Sequence, residues 1–164
     1  MKTSSLFFLF VISFLFQSCS KQTDKKLWEN IEQAKQNQQY DSTIQLCQTL
    51  LQEYPKSPLA HFALYTIAET YRNGKHDYPK ALQYYRQYAE QYPNTEHTPV
   101  ATFLVGFIYN NDLNNPDSAK VGYERFLSKF PNHELARSAK FELENIGKTP
   151  EEILSPKKHV VKKR

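Results

Sequence analysis

The strongest constraint on this chain is that it repeats itself every 38 residues. Glu53-Tyr54-Pro55, Gln91-Tyr92-Pro93 and Lys129-Phe130-Pro131 hold that step. Behind the prolines so do Leu50, Tyr88 and Phe126, then Cys47, Tyr85 and Tyr123, then Thr43, Ala81 and Ala119. Ahead of them Ala63, Ala101 and Ala139 keep it, as do Tyr65, Phe103 and Phe141. A period between about 20 and 50 residues belongs to solenoids, where each supersecondary unit buries its apolar face only against its neighbours.

Each unit reads as two helices. Leu64, Ile67, Ala68 and Tyr71 recur at helical spacing and form one stripe of an amphipathic helix. The third unit has Thr102, Val105, Gly106 and Tyr109 there, and the first has Trp28, Ile31 and Ala34. A small residue in mid-stripe, Ala68 or Gly106, lets a neighbouring helix come close. Second helices are predicted to start near Asp41, Pro79 and Asp117 and to run to the aromatic residue before each terminal proline. Ser57-Pro58, Thr98-Pro99 and Asn115-Pro116 each set a capping side chain before a proline at the first helical position. Asn73-Gly74 and Asn110-Asn111 read as the turns between paired helices. Glu134 to Ile146 reads as a last, unpaired helix with Glu144 where Ala68 and Gly106 stood, closed by Gly147. The expected fold is all-α: a solenoid of three helix pairs and a C-terminal capping helix. With only four glycines, the chain lacks the material for a series of β-turns or a glycine-rich phosphate loop.

The formal charge of +4 is unevenly placed. Residues 148–164 carry six bases and two acids, whereas the body from Cys19 to Gly147 has 14 bases and 15 acids. A near-neutral body with a basic tail does not describe a nucleic-acid-binding domain, whose bases should line one folded face. Lys148 to Arg164 has no usable periodicity and is expected to be a disordered tail, with one turn at Thr149-Pro150-Glu151-Glu152. Lys157, Lys158, Lys162 and Lys163 in it either keep that end soluble or touch anionic headgroups or an acidic partner.

At the other end, Leu6 to Phe16 is an apolar run behind a short, weakly basic start. Eleven residues cover about 16 Å of helix, roughly half of a hydrocarbon core. That suits a secretory leader and is too short for a membrane span. Small residues then straddle Cys19 in Phe16-Gln17-Ser18-Cys19-Ser20. This segment resembles the lipobox of bacterial lipoproteins, in the looser form of Bacteroidetes-type sequences. The resemblance implies cleavage before Cys19 and its acylation by fatty chains such as palmitate; the other reading is an ordinary secretory signal. The expected organisation is a leader over 1–18, a polar tether over 19–26, the repeat domain over 27–147 and the basic tail over 148–164. The tether lacks the acidic run that resembles a surface-export signal, which favours a periplasm-facing, lipid-anchored place on the outer membrane. Cys47 is then the sole free thiol, and packing is its plain role.

The pattern A/G-x-x-Y, then Y-x-x-A-x-x-x-Y/F-x-x-F, then Y/F-P resembles the tetratricopeptide repeat over residues 27–147. The segments Tyr78-Pro-Lys-Ala-Leu-Gln-Tyr-Tyr and Tyr123-Glu-Arg-Phe-Leu-Ser-Lys-Phe-Pro-Asn-His are similar to repeats of BamD-type outer-membrane assembly lipoproteins and of periplasmic CpoB-type proteins. Such arrays stack their first helices along a concave groove. The positions that the resemblance turns into it are Phe62, Tyr65, Glu69, Arg72 and Asn73 in the second unit, and Val100, Phe103, Phe107, Asn110 and Asn111 in the third. Aromatic rings offer contact area at low entropic cost, while asparagines and Arg72 can clamp a peptide backbone or carboxylate. Tyr65 and Phe103 could equally pack between adjacent helices; Phe107 is the stronger candidate, because Val105, Gly106 and Tyr109 already fill the stripe beside it.

Catalytic patterns are missing: no nucleophile elbow, zincin motif, C-x-x-C or phosphate loop occurs. His61, His76, His97, His133 and His159 never pair with a second ligand at helical spacing, so no metal or cofactor is expected. Glu142 and Glu144 read as a solvated face. The expectation is a non-enzymatic, lipid-anchored scaffold for other envelope proteins, binding neither nucleic acid nor a small-molecule substrate, with a link to outer-membrane protein assembly implied by the resemblance. The alternative is a periplasmic module that binds peptides or wall fragments for cell-wall enzymes.

Overall fold

The computed structural model describes residues 22–154, with the side chain of Pro150 left aside. The leader, Cys19 and the end of the basic tail lie outside those residues. Helices α1 (Asp24–Gln36) and α2 (Tyr40–Glu53) form the first pair. The second is α3 (Ala60–Glu69, extended by a π turn over Thr70–Gly74) and α4 (Tyr78–Gln91). The third is α5 (His97–Phe107, extended over Ile108–Asp112) and α6 (Pro116–Lys129), followed by α7 (Ala136–Asn145) and a short α8 (Pro150–Leu154). Each helix packs on the next from α1 to α7, and no strand occurs among the described residues. This is the expected all-α tetratricopeptide solenoid.

Second helices begin within one residue of the expected places. Asp77 accepts from the Lys80 N–H at 3.2 Å and Asn115 from the Ser118 N–H at 3.0 Å, each with a proline in the first turn. The three end alike. Tyr54, Tyr92 and Phe130 leave the helix at φ −132°, −126° and −133°. The following proline clashes with a helical conformation at these residues, so the helix stops there. The 38-residue register is the register of the core: Cys47, Leu50, Tyr88, Tyr123 and Phe126 are 0% exposed, and Tyr85 1%. Burying a large side chain of this kind contributes about 2–3 kcal/mol. The Cys47 thiol, inside that core, is pushed by burial up to about 12.

Four local expectations need correction. Leu27, not Trp28, heads the buried stripe of α1; Trp28 is half-buried. Thr98-Pro99 does not cap α5, which begins at His97; the Thr98 hydroxyl turns back to the Tyr92 carbonyl and to Thr95. Ser57 stands ahead of α3 in a turn, accepting from the Leu59 N–H at 3.1 Å. Asn73-Gly74 and Asn110-Asn111 are not the interhelical turns but parts of the π turns, and the left-handed residues come later, at His76 (φ 53°) and Asn114 (φ 45°). Gly74 is held small by the Tyr40 ring, since a β-carbon there would lie 2.5 Å from it.

Three residues of the expected tether, Asp24 to Lys26, are already the first turn of α1, capped by Thr23. The chain ahead of α1 is pinned to the loop after α2. The Tyr54 hydroxyl donates to the Gln22 carbonyl, and the Ser57 hydroxyl donates to Asp24 Oδ2 at 2.7 Å. That bond, with the Lys25 N–H, holds the Asp24 carboxyl below its usual range. At the far end Gly147 (φ 75°) closes α7 as expected, and Thr149 and Glu152 cap α8 reciprocally at 2.8 and 3.3 Å.

Candidate partner-binding face

First helices α1, α3, α5 and α7 share one face, joined by contacts that run between units. At one end of that face is a line of rings. Phe62 lies 5.9 Å from Trp28 on α1 and 5.9 Å from His97 on α5, with His61 3.9 Å away. Tyr65, half-buried, meets His97 at 4.8 Å and the second-helix rings Tyr85 and Tyr88 at 5.7 and 5.3 Å. Burial, then the Glu69 charge, push its hydroxyl up to about 12.

Toward the other end the units are stitched by polar rungs. Lys35 of α1 reaches Glu69 of α3 at 3.8 Å. Arg72 Nε in the first π turn reaches Asp112 in the second at 3.3 Å, both side chains about one-fifth exposed, and its guanidinium lies 5.0 Å from the centre of the Phe107 ring. Asn110 donates to Glu142 of α7 at 3.1 Å. Arg72 and Asn110 hold the same place in successive units, and each reaches an acid of the next first helix.

Of the residues named from the sequence, Phe62, Tyr65, Glu69, Arg72, Val100, Phe107 and Asn110 are half-buried on this face, and Asn73 and Asn111 are exposed. Asn111 bonds back to the Phe107 carbonyl at 3.2 Å. Phe103 is different: at 8% exposed it packs on Tyr123 and Phe126, both 5.6 Å away, and presents no ring to a ligand. Sequence reasoning missed Trp28, Lys35, His97 and Asp112, and it read Glu142 as solvated when it is the acceptor of a rung. These partners sit at 34-, 40- and 32-residue separations, off the repeat step, so the period carried no signal for them.

Chemically the face can hold and orient a ligand through ring surfaces and amides. No group of three or more His, Cys, Asp or Glu suited to a metal occurs among the described residues. Cys47 is buried with its thiol protonated, which makes it a poor nucleophile.

Helix pairs stacked in series around such a face define a helical-repeat binding protein. The chain belongs to the YfiO family of outer membrane lipoproteins, a BamD-like tetratricopeptide family, whose family model matches residues 20–149. No curated protein matches it.

Proposed function

We propose that this protein is a non-catalytic scaffold, anchored by fatty acyl chains on Cys19, that holds other envelope proteins on its first-helix face at the periplasmic side of the outer membrane. The line Trp28–Phe62–His97 carries the reading. These rings cross from unit to unit half-exposed and offer apolar contact area at one end of the face, while the exposed amides of Asn73 and Asn111 stand toward its other end. Family membership supports the lipoprotein and envelope parts of the proposal. Its finer part is a peripheral role in outer-membrane protein assembly.

A photo-crosslinker at Asn73 or Asn111 in cells, followed by purification, tests the face. Co-purification of a β-barrel assembly core supports the assembly role, and adducts with wall hydrolases or synthases alone overturn it. Labelling with a fatty acid, lost in Cys19→Ser, tests the anchor.

A further inference from the structure

The second helices carry a cleft of their own. α4 and α6 flank it with α5 behind, over a floor of Val105, Tyr109 and Gly122. Its volume there is about 300 Å³, and it continues along α4 past Leu82 and Leu113. Val121, 64% exposed, and Leu113, 36% exposed, stand at its edge. Single exposed apolar residues are ordinary; here Val121 lines the pocket and Leu113 its continuation along α4, so two of them fall on one strip of surface.

Three cations line the same cleft: Arg86, Arg125 and Lys129. None has a carboxylate within ion-pair distance among the described residues. Arg86 bonds instead to the Tyr109 hydroxyl at 2.8 Å, its guanidinium 5.5 Å from the ring centre. On the first-helix face the opposite holds, since Lys35 and Arg72 both have acids. Asp117 lines the floor pocket itself beside Arg86 and Arg125, where the two guanidinium groups outnumber it, and Glu90 lines the continuation along α4; the adjoining stretch between Ala89, Thr102 and Lys129 carries no acid.

The repeat supplies its own comparison. One step of 38 residues earlier, Arg86, Arg125 and Lys129 become Gln48, Gln87 and Gln91, and Val121 becomes Gln83. Gly122 becomes Tyr84, whose ring stacks on Tyr71 at 5.5 Å. The solenoid therefore does not need cations, an exposed valine or an open floor at these places. The charges and the opening are particular to the α4–α6 cleft.

We propose that this cleft docks an acidic peptide segment of a partner protein, with an aliphatic side chain against Val105, Tyr109 and Val121 and carboxylates on Arg86 and Arg125. Planar guanidinium groups take carboxylates through paired parallel bonds, and an apolar floor between them suits an alternating acidic and aliphatic peptide. A flat phosphate-bearing membrane surface fits less well, because it would not reach the floor. The docking is separate from the first-helix face and does not depend on it.

The test uses the full-length chain in neutral detergent and a fluorescein-labelled peptide of leucines flanked by glutamates. Anisotropy should show binding that is absent for the same peptide with lysines in place of glutamates. The double variant Arg86→Gln/Arg125→Gln should raise Kd at least about tenfold, as expected when charge pairs at an interface are lost. Val121→Asp, at an exposed site that folding tolerates, should do the same, and Lys120→Gln, a charge lost outside the cleft, should not. Equal binding of the two peptides, no binding of either, or an unchanged Kd in both cleft variants overturns the proposal. So does binding to phosphatidylglycerol vesicles that the double variant abolishes while its peptide binding stays intact.

Discussion

Gly106 and Gly122 touch backbone to backbone: a β-carbon on Gly122 would stand 2.6 Å from the Gly106 Cα. α5 and α6 cross there at a distance that only two hydrogens permit. Gly122→Ala gains about 1 kcal/mol of helix propensity. Overpacking against backbone, which cannot turn aside, costs about 3 kcal/mol or more. The clash wins, and chemical denaturation should show a loss of about 2 kcal/mol. An unchanged midpoint would mean that the two helices are further apart.

Tyr65, Phe103 and Phe141 share one place in the repeat but not one environment. Phe103 is 8% exposed and Phe141 53%, because α7 has no second helix of the same unit beside it. Phe103→Ala should destabilise by about 3–5 kcal/mol, whereas Phe141→Ala should stay within about 0.5 kcal/mol. Equal losses in thermal melts would contradict this.

The Tyr123 hydroxyl is buried without a hydrogen-bond partner among the described residues. Burial and the Glu142 charge hold it protonated. A hydroxyl buried unpaired costs about 1–3 kcal/mol, and phenylalanine keeps the ring contacts with Phe103. Tyr123→Phe should therefore raise the denaturation midpoint by the equivalent of about 1 kcal/mol. A fall in stability would reveal a bond to that oxygen.

His61 is held below its usual 6.5 by burial and then by the nearby His97, with Glu96 opposing. The unfolded chain then binds the proton more readily than the folded one. The contribution is complete above pH 6.5 and lost as pH falls through the lower folded value. Melting temperatures between neutral and mildly acidic pH should fall more steeply for the native chain than for His61→Gln. Parallel profiles would remove His61 from the acid response.

The elements legible in the sequence were those the repeat step copies. Cys47, Tyr85 and Tyr123 are buried because each unit meets its neighbour in the same way, and the prolines after Tyr54, Tyr92 and Phe130 stop three helices at equivalent places. Gly106 was readable as a point of close approach for the same reason. The rungs Lys35–Glu69, Arg72–Asp112 and Asn110–Glu142 were not. They pair residues on different helices at unequal separations, and long side chains select such partners in space. The π turns escaped too: Asn-Gly reads locally as a turn, but packing of Gly74 on Tyr40 keeps that segment coiled until Lys75.

The pinning of Gln22 by Tyr54 sets a leash. Cys19 is three residues ahead of Gln22, and a fully stretched chain spans at most about 3.6 Å per residue. An acylated Cys19 would thus keep the first helix pair within about 11 Å of the lipid it enters. The later pairs carry no such tether, so the array would be held to the bilayer at its α1–α2 end alone. Its α4–α6 cleft and closing helix would lie outside that short limit on reach.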